Sequence, residues 1–480
     1  MALNAQVASD ALRYSYIPQY GGTARALGVG GTMGSIGGDF STLTTNPAGL
    51  ATYRIGELII TPGYHAANTS STLEGADIGP VNQSFGKARI DNIGLVFARE
   101  PYGNNKWQTK NFAIGYNRIQ DFGSNVFYEG TTKGSITARF RDQANLAPLG
   151  ADLDPFESAL ADSVGAIYTK LVNNKRVYTT DFDQNPDAGV YRSQTIETRG
   201  GLGEMVIAYA ANYNDFLQIG ASLGVPFLNF SEKKIYREED VRNEVPLFEK
   251  LQYNQNLTTT AAGLNAKLGL IVRPTKFSRL GFAFHTPTIY NIGDAFDSKL
   301  FYVYTENGVR NSFEQASPDG NFDYTLRTPL RVVASGGYIF GKRGFINADV
   351  EWADYSKANF TLDGEFVTAQ NDVNRTIKAR YKTAMNIRIG GEYVYEVFRF
   401  RAGIGLNGSP RQDKDFYNTT YNAGIGLRGK HVFLDLGWQR RVLKENYVPY
   451  KVLETQSYKE QQVTNSYAFT DLLLTFGVKF

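Results

Sequence analysis

Thr470-Asp471-Leu472-Leu473-Leu474-Thr475-Phe476-Gly477-Val478-Lys479-Phe480 is the stretch that decides the class of this chain. Leu472, Leu474, Phe476, Val478 and Phe480 fall on one face, and Asp471, Leu473, Thr475, Gly477 and Lys479 on the other. That is the two-residue period of a β-strand with one apolar side. The pattern recurs upstream. Phe398, Phe400, Ala402, Ile404 and Leu406 alternate with Arg399, Arg401, Gly403, Gly405 and Asn407. Tyr421 to Leu427, Val432 to Trp438 and Ile346 to Trp352 repeat it.

The composition agrees with many strands and many turns. The 480 residues include 30 Tyr, 31 Phe and 49 Gly, against 3 His, 4 Met and no Cys. Charged residues at 20% and hydrophobic ones at 42% exclude disorder, and a mean hydropathy of −0.32 excludes a bundle of membrane helices. The absent cysteines remove disulfide scaffolds, thiol catalysis and Cys-ligated metal. A net charge of +3 is too balanced for a nucleic-acid binder. The start lacks a basic and an apolar signal region, and Leu3-Asn4-Ala5-Gln6 reads either as the remnant of a signal or as an ordinary N-terminus.

A soluble sandwich also alternates, but three features select a membrane barrel. The polar face mixes Gly with Arg, Asp and Glu, as a watery lumen requires. Aromatics such as Trp352, Tyr355, Tyr393, Tyr395, Trp438 and Tyr467 sit near strand ends, like the girdles at two bilayer interfaces. The apolar runs last about 9 to 11 residues, the length of a tilted membrane strand. Coarse strands fall at 55–67, 86–99, 107–119, 193–211, 214–230, 256–273, 277–305, 323–341, 343–357, 375–395, 397–409, 418–428, 430–442 and 464–480. The expected fold is all-β: a transmembrane antiparallel barrel of about 14 strands, an even count that closes without edges. Short turns alternate with long loops at 68–85, 120–192, 231–255, 306–322, 358–374, 410–417 and 443–463. This sorting predicts an outer-membrane barrel with both termini in the periplasm. Pro287 makes 277–305 one kinked strand.

Residues 1–54 do not alternate. Gly21-Gly22, Gly28-Val29-Gly30-Gly31, Gly37-Gly38 and Asn46-Pro47-Ala48-Gly49 point to tight, glycine-dependent packing. A phosphate loop fails, because Met33 stands where a third Gly is needed and no Lys follows. A plug inside the barrel is expected, with 55–480 forming the wall. In the largest insertion, Leu149, Leu153, Phe156, Leu160, Val164, Ile167 and Leu171 recur at helical spacing after Asp154-Pro155-Phe156-Glu157, a helix start. A helix over about 155–172 is expected. It either closes the barrel mouth or offers a greasy groove that captures an apolar ligand.

The glycine-rich N-terminal segment, Asn46-Pro47-Ala48-Gly49, and about fourteen strands ending in Phe480 together resemble the FadL family of outer-membrane transporters for long-chain fatty acids and other hydrophobic compounds. The resemblance spans essentially the whole chain. It implies a lumenal hatch containing Asn46, Pro47, Ala48 and Gly49, capture of the ligand outside, a lumenal pocket near the hatch, and exit sideways through the wall. It also implies that Phe476, Val478 and Phe480 form the signal read by the barrel-assembly machinery.

Arg388, Arg399, Arg401 and Arg428, with Asp349, Glu351, Glu392 and Asp435, should face the lumen. A guanidinium there could hold a carboxylate by two parallel hydrogen bonds, or join a charge network that fixes wall and plug. His65, His285 and His431 stand on separate strands without a motif, so no enzyme, metal or cofactor is expected. The reading is passive uptake of hydrophobic compounds. The alternative is a non-transport subunit of an outer-membrane secretion or assembly complex, docking through its loops. Expected partners are outer-membrane lipid and lipopolysaccharide, a hydrophobic small molecule, the assembly machinery and, under the alternative, other subunits.

Overall fold

Alternation on this scale has one stable outcome in lipid. Every strand edge must be paired, because an unpaired backbone group in hydrocarbon costs several kcal/mol. The computed structural model, which describes residues 8–16, 21–99, 106–147, 152–452 and 460–480, is a closed antiparallel barrel. Its fourteen strands are β1 (Glu57–Leu73), β2 (Val81–Arg99), β3 (Trp107–Asp121 continued by Ser124–Lys133), β4 (Gly189–Tyr213), β5 (Leu217–Glu239), β6 (Phe248–Val272), β7 (Ser278–His285 continued by Ile289–Glu306), β8 (Gly320–Arg327 continued by Arg331–Ile339), β9 (Gly344–Asp354), β10 (Thr383–Tyr395), β11 (Phe398–Gly408), β12 (Phe416–Arg428), β13 (Val432–Tyr447) and β14 (Val463–Lys479). β14 closes on β1 from Glu57↔Lys479 to Leu73↔Val463. All fourteen expected strands are present, and among the described residues no helix is long and apolar enough to cross a membrane.

The outer face carries Leu58, Ile60, Ile93, Phe112, Phe282, Phe400, Leu436 and Leu474, each more than a third exposed. This belt is of the kind that faces lipid in membrane barrels. The inward positions of the strands are buried polar groups such as Asn92, Asn117, Glu204, Arg388 and Asp435. Trp352, Tyr393 and Tyr395 lie on the outside, but two aromatics expected in the girdles do not. Tyr355 is buried in the lumen, and Tyr467 faces inward, stacked on Phe469. Both are in register with the polar side of their strands.

Strands β3 to β7 rise well beyond their membrane segments, so the expected insertion at 120–192 narrows to 134–188. The helix expected over 155–172 forms only at Ser158–Ser163. Helices Thr137–Leu146 and Ser158–Ser163 are followed by a hairpin, Tyr168–Val172 with Lys175–Thr179. Gly165 at φ +78° stops the second helix, and Asn173 and Asn174 at φ +50° and +60° make the hairpin turn. A further helix, Val367–Arg380, occupies the first part of the span expected as a strand from 375. Val373 and Ile377, four apart, are its buried face.

The N-terminal segment lies in the lumen. Helices Ala8–Ser15, Ala24–Gly28 and Thr42–Thr45 and the 3-10 turn Pro47–Thr52 are largely buried. Residues 1–7, including the Leu3–Gln6 stretch, lie outside the described residues. Wall glycines from β5 round to β13 accept the backbone of the N-terminal segment. A Cβ on Gly220 or Gly269 would strike Pro47 or Ala48; on Gly390 or Gly403, Val29; and on Gly437, Ala24. The inward glycines are therefore seats for the plug.

Candidate functional site

The outermost feature is a cavity of about 450 Å³ above the hatch, between the external insertion and the tops of β5 to β8. That volume is within the roughly 300–1,000 Å³ of small-molecule pockets. Its apolar lining is Phe156, Phe296, Phe322, Phe366 and Leu257. Phe156 packs on Phe296 at 4.8 Å between ring centres, and Phe322 on Phe366 at 5.3 Å. The Phe156 carbonyl accepts from Tyr253 (2.8 Å) and Ser298 (2.6 Å), which pins the loop to β6 and β7. Asp154 accepts from the Phe156 and Glu157 amides at 2.9 and 3.1 Å, so it caps the turn. Glu157 instead pairs with Arg139 at 2.8 Å. A Glu232–Lys234 pair, 2.7 Å, lies at the cavity's edge.

The candidate capture residues separate. Phe156 faces the cavity. Leu160, Val164 and Ile167 are buried in the insertion's own core with Phe140, Phe182 and Tyr302, and Leu153 packs on that core. Leu149 lies outside the described residues. Leu171, on the hairpin, is exposed.

Helix Ala8–Ser15 forms the floor. Ala8, Ala11, Tyr14 and Tyr16 belong to an apolar cluster with Phe230, Tyr324, Phe360 and Tyr381, against which Leu257, Phe322 and Phe366 also pack. The Tyr14 hydroxyl meets Thr259 at 3.2 Å, and Arg331 donates to the Ser15 carbonyl at 2.6 Å. Below lies a polar cavity of about 40 Å³, lined in part by Tyr14, Thr44, Glu204, Lys267, His285 and Arg331. Lys267 donates to Glu204 at 2.7 Å, and His285 contacts the Thr45 carbonyl at 2.7 Å.

The Asn46–Gly49 stretch clamps the N-terminal segment to the wall. The Asn46 amide donates to Gly34 and Leu270 carbonyls at 2.6 and 3.2 Å, while its oxygen accepts from Ala48 N at 3.2 Å. Pro47 occupies the first position of the turn. Gly49 lies so close to Gly37 and Thr42 that a Cβ would stand 2.9 Å from each. Asn46, Pro47 and Ala48 join the N-terminal segment to β5 and β6, while Thr44 beside them lines the polar cavity.

Three of the four candidate arginines enter one charge network or its neighbour. Arg401 pairs with Glu392 and Asp435, each at 2.7 Å; Arg428 pairs with Asp435 at 2.8 Å; and Arg25 of the hatch pairs with Glu392 at 3.1 Å. Arg388 pairs with Glu351 at 3.1 Å. Arg399 is apart from them, donating to the Glu396 and Phe398 carbonyls at the turn that joins β10 to β11. Phe476 and Phe480 project from the closing strand, and the Phe480 ring covers Gly56.

The wall's ladder is interrupted between β2 and β3. β2 and β3 are paired only from Asn92↔Asn117 to Arg99↔Lys110. Above that level β3 bends at Phe122–Gly123, and Ser124–Lys133 pairs with β4 but not with β2. Thr69 of β1 hydrogen-bonds to the Asn125 carbonyl, which draws this piece inward. A second cluster, Arg89, Asp91, Asp121, Asp471 and His65, lines the inside of the break. Its members stand at inward strand positions, so the period-two pattern could have shown their direction, but not the bend that gathers them.

No family model matches this sequence, and no curated protein matches it either. Solved structures do. A crystal structure of a Pseudomonas aeruginosa FadL homologue aligns over 96% of this chain and 98% of its own, with a TM-score of 0.54 and 13% identity. The fold is the FadL fold. The P. putida toluene transporter TodX aligns over 97% and 99% of the two chains, with a TM-score of 0.52 and 13% identity. At such identity the FadL fold is shared while individual side chains are not, so the ligand must be argued from this chain's own cavities.

Proposed function

We propose that this chain is an outer-membrane channel for passive uptake of hydrophobic compounds, long-chain fatty acids among them. The observation that carries the reading is an aromatic-lined cavity above a lumen that the chain's own N-terminal segment fills. An ion-conducting porin needs an open bore, and a buried hatch removes it. Phe156 and Phe296 supply the first contact, and Leu160, Val164 and Ile167 hold the loop that presents them. The hatch motif Asn46 to Gly49 controls release, and the break between β2 and β3 is the exit. Arg388, Arg399, Arg401 and Arg428 serve the wall and hatch, since each already has protein acceptors. The long loops face outward among lipopolysaccharide, and both termini lie on the periplasmic side. Phe476, Val478 and Phe480, on the strand that closes the barrel, suit the assembly signal.

The experiment is uptake of radiolabelled toluene and of radiolabelled oleate by cells with and without the chain. Expression should raise uptake of at least one compound. Phe156→Ala should weaken its apparent affinity about tenfold, from roughly 1.5 kcal/mol of lost apolar contact. No gain over cells lacking the chain would overturn the proposal.

A second reading, a subunit of a larger outer-membrane assembly, draws on one observation. Strand Val309–Ala316 rises as a hairpin with β7, is exposed almost throughout, and is paired on one edge only among the described residues. Such an edge can accept another strand. Recovery of the chain alone after mild-detergent purification and mass spectrometry would count against it.

A further inference from the structure

The end of the barrel that carries the short turns is basic. Across 54–57, 99–110, 213–217, 273–279, 340–344, 395–399, 428–432 and 479–480 the sequence places 13 Lys and Arg against 4 Asp and Glu, although the whole chain nets only +3. The rest of the molecule is therefore net acidic. Part of the basic charge is matched by the protein itself. Arg54 and Arg273 share Asp215, at 2.9 and 3.7 Å, and Arg428 pairs with Asp435. Elsewhere on this rim, among the described residues, it is not. Arg99 of β2 and Lys110 of β3 stand directly opposite each other, both exposed, where like charges repel.

The charge is densest on two neighbouring turns, 273–277 between β6 and β7 and 340–343 between β8 and β9. β7 and β8 pair from Ser278↔Tyr338, and the Ile339 amide donates to the Phe277 carbonyl at 2.8 Å, so the turns lie side by side. Thr275 fixes the first by accepting from the Phe277 and Ser278 amides at 3.2 and 2.9 Å, and Gly341 at φ +60° makes the second. Lys276, Lys342 and Arg343 are all exposed, and among the described residues none of them is in an ion pair. Beside them on the outer face, Phe277 stacks on Tyr338 at 6.0 Å between ring centres and Tyr338 meets Phe340 edge-on at 5.1 Å, each ring about half exposed. Leu280, Phe282 and Ile346 continue that face into the apolar belt. The next turn round adds Glu396 and Arg399, one charge of each sign.

We propose that these two turns bind an anionic phospholipid, with Lys276, Lys342 and Arg343 on the headgroup phosphate and Phe277, Tyr338 and Phe340 against the glycerol and the first acyl carbons. Three exposed cations without protein counter-charges call for an anion. Their place beside an aromatic ladder at the edge of the greasy belt makes that anion an amphiphile. A zwitterionic headgroup brings its own ammonium and gains less, and a soluble anion would leave the rings uncovered. The inference goes beyond the uptake reading and takes from it only the side of the membrane. With both termini in the periplasm, the lipid belongs to the inner, phospholipid leaflet and not to the lipopolysaccharide leaflet.

The test uses the full chain, purified in a mild detergent and mixed with equal amounts of phosphatidylglycerol, diphosphatidylglycerol and phosphatidylethanolamine bearing the same acyl chains. Native mass spectrometry should find the anionic lipids retained about tenfold better than phosphatidylethanolamine, with the preference shrinking as salt rises. Lys276→Gln/Lys342→Gln/Arg343→Gln should reduce that preference to about twofold or less in protein that still shows the heat-modifiable mobility of a folded barrel. Lys276→Arg/Lys342→Arg should keep it. Removing as much charge at the long-loop end, by Lys170→Gln/Arg176→Gln/Lys250→Gln, should leave it intact. Equal retention of the three lipids, or a larger preference in the folded triple variant of the turns, overturns the proposal. Displacement of the lipid by millimolar inorganic phosphate would reveal a plain anion site and overturn the lipid as its occupant. None of these readings needs a transported compound, so failure here and failure of uptake are told apart.

Discussion

Asp181 shows how a single side chain is tuned in this molecule. It lies in the external insertion, where Tyr302 and Tyr168 donate to its carboxyl at 2.8 and 3.2 Å. Burial raises its pKa above the ordinary 3.8, outweighing the two hydroxyls that lower it. A raised pKa in the folded state means the insertion binds this proton more tightly than the unfolded chain does. The stability it contributes is complete below 3.8 and is lost as pH rises through the folded value. Protection of the amides over residues 168–183, taken relative to their intrinsic base-catalysed exchange at each pH, should therefore fall as pH rises from 3.8 toward neutrality, and Asp181→Asn should flatten that fall. Arg401 presents the opposite case. Its side chain is inaccessible between Glu392 and Asp435. Arg401→Ala leaves buried charge less well compensated, at a cost of about 3–5 kcal/mol. A lower urea midpoint in detergent, read by heat-modifiable mobility, is the expected result; an unchanged midpoint would mean water replaces the guanidinium.

Among the elements, the strands were legible and the helices less so. A strand needs only its period, and Leu472 to Phe480 supply it within nine residues. The stripe from Leu149 to Leu171 has helical spacing too, yet Gly165 and Asn173–Asn174 divert the chain, because positive φ overrides periodicity. The residues of that stripe were correctly marked as apolar; what the spacing could not supply was the partner each would pack on. The N-terminal segment stood out in the sequence because it does not alternate and is dense in glycine. Its seats did not, because Gly220 and Gly269 read as ordinary gaps on a crowded lumenal face until the opposing backbone is known. Gly269→Val should lift the hatch, since the new Cβ would stand 2.8 Å from the Ala48 nitrogen. Limited proteolysis should then cut within 21–53 at least several-fold faster than in the native protein. Equal rates would show that the seat can yield.

At the scale of the whole barrel, the hatch should decide conductance. Planar bilayers containing the intact protein should show no large steady current, whereas removal of residues 1–53 should open one. A large current from the intact chain would contradict a filled lumen. The folded protein should also require an amphiphile to remain dispersed, because Leu58, Phe282, Phe400 and their neighbours leave an apolar belt around it.

The barrel is taller on one flank than on the other. β4 and β6 each have 25 residues, whereas β9 and β11 have 11. At ~3.3 Å per residue and a tilt near ~40°, 25 residues climb roughly 60 Å, more than twice the ~25 Å greasy band of such barrels. One side of the rim is thus a chimney that stands far out from the bilayer, with the aromatic cavity part-way down its inside. A water-insoluble molecule met at that height would already have bypassed the sugar coat that otherwise repels it, and would have only the inside of the chimney left to descend.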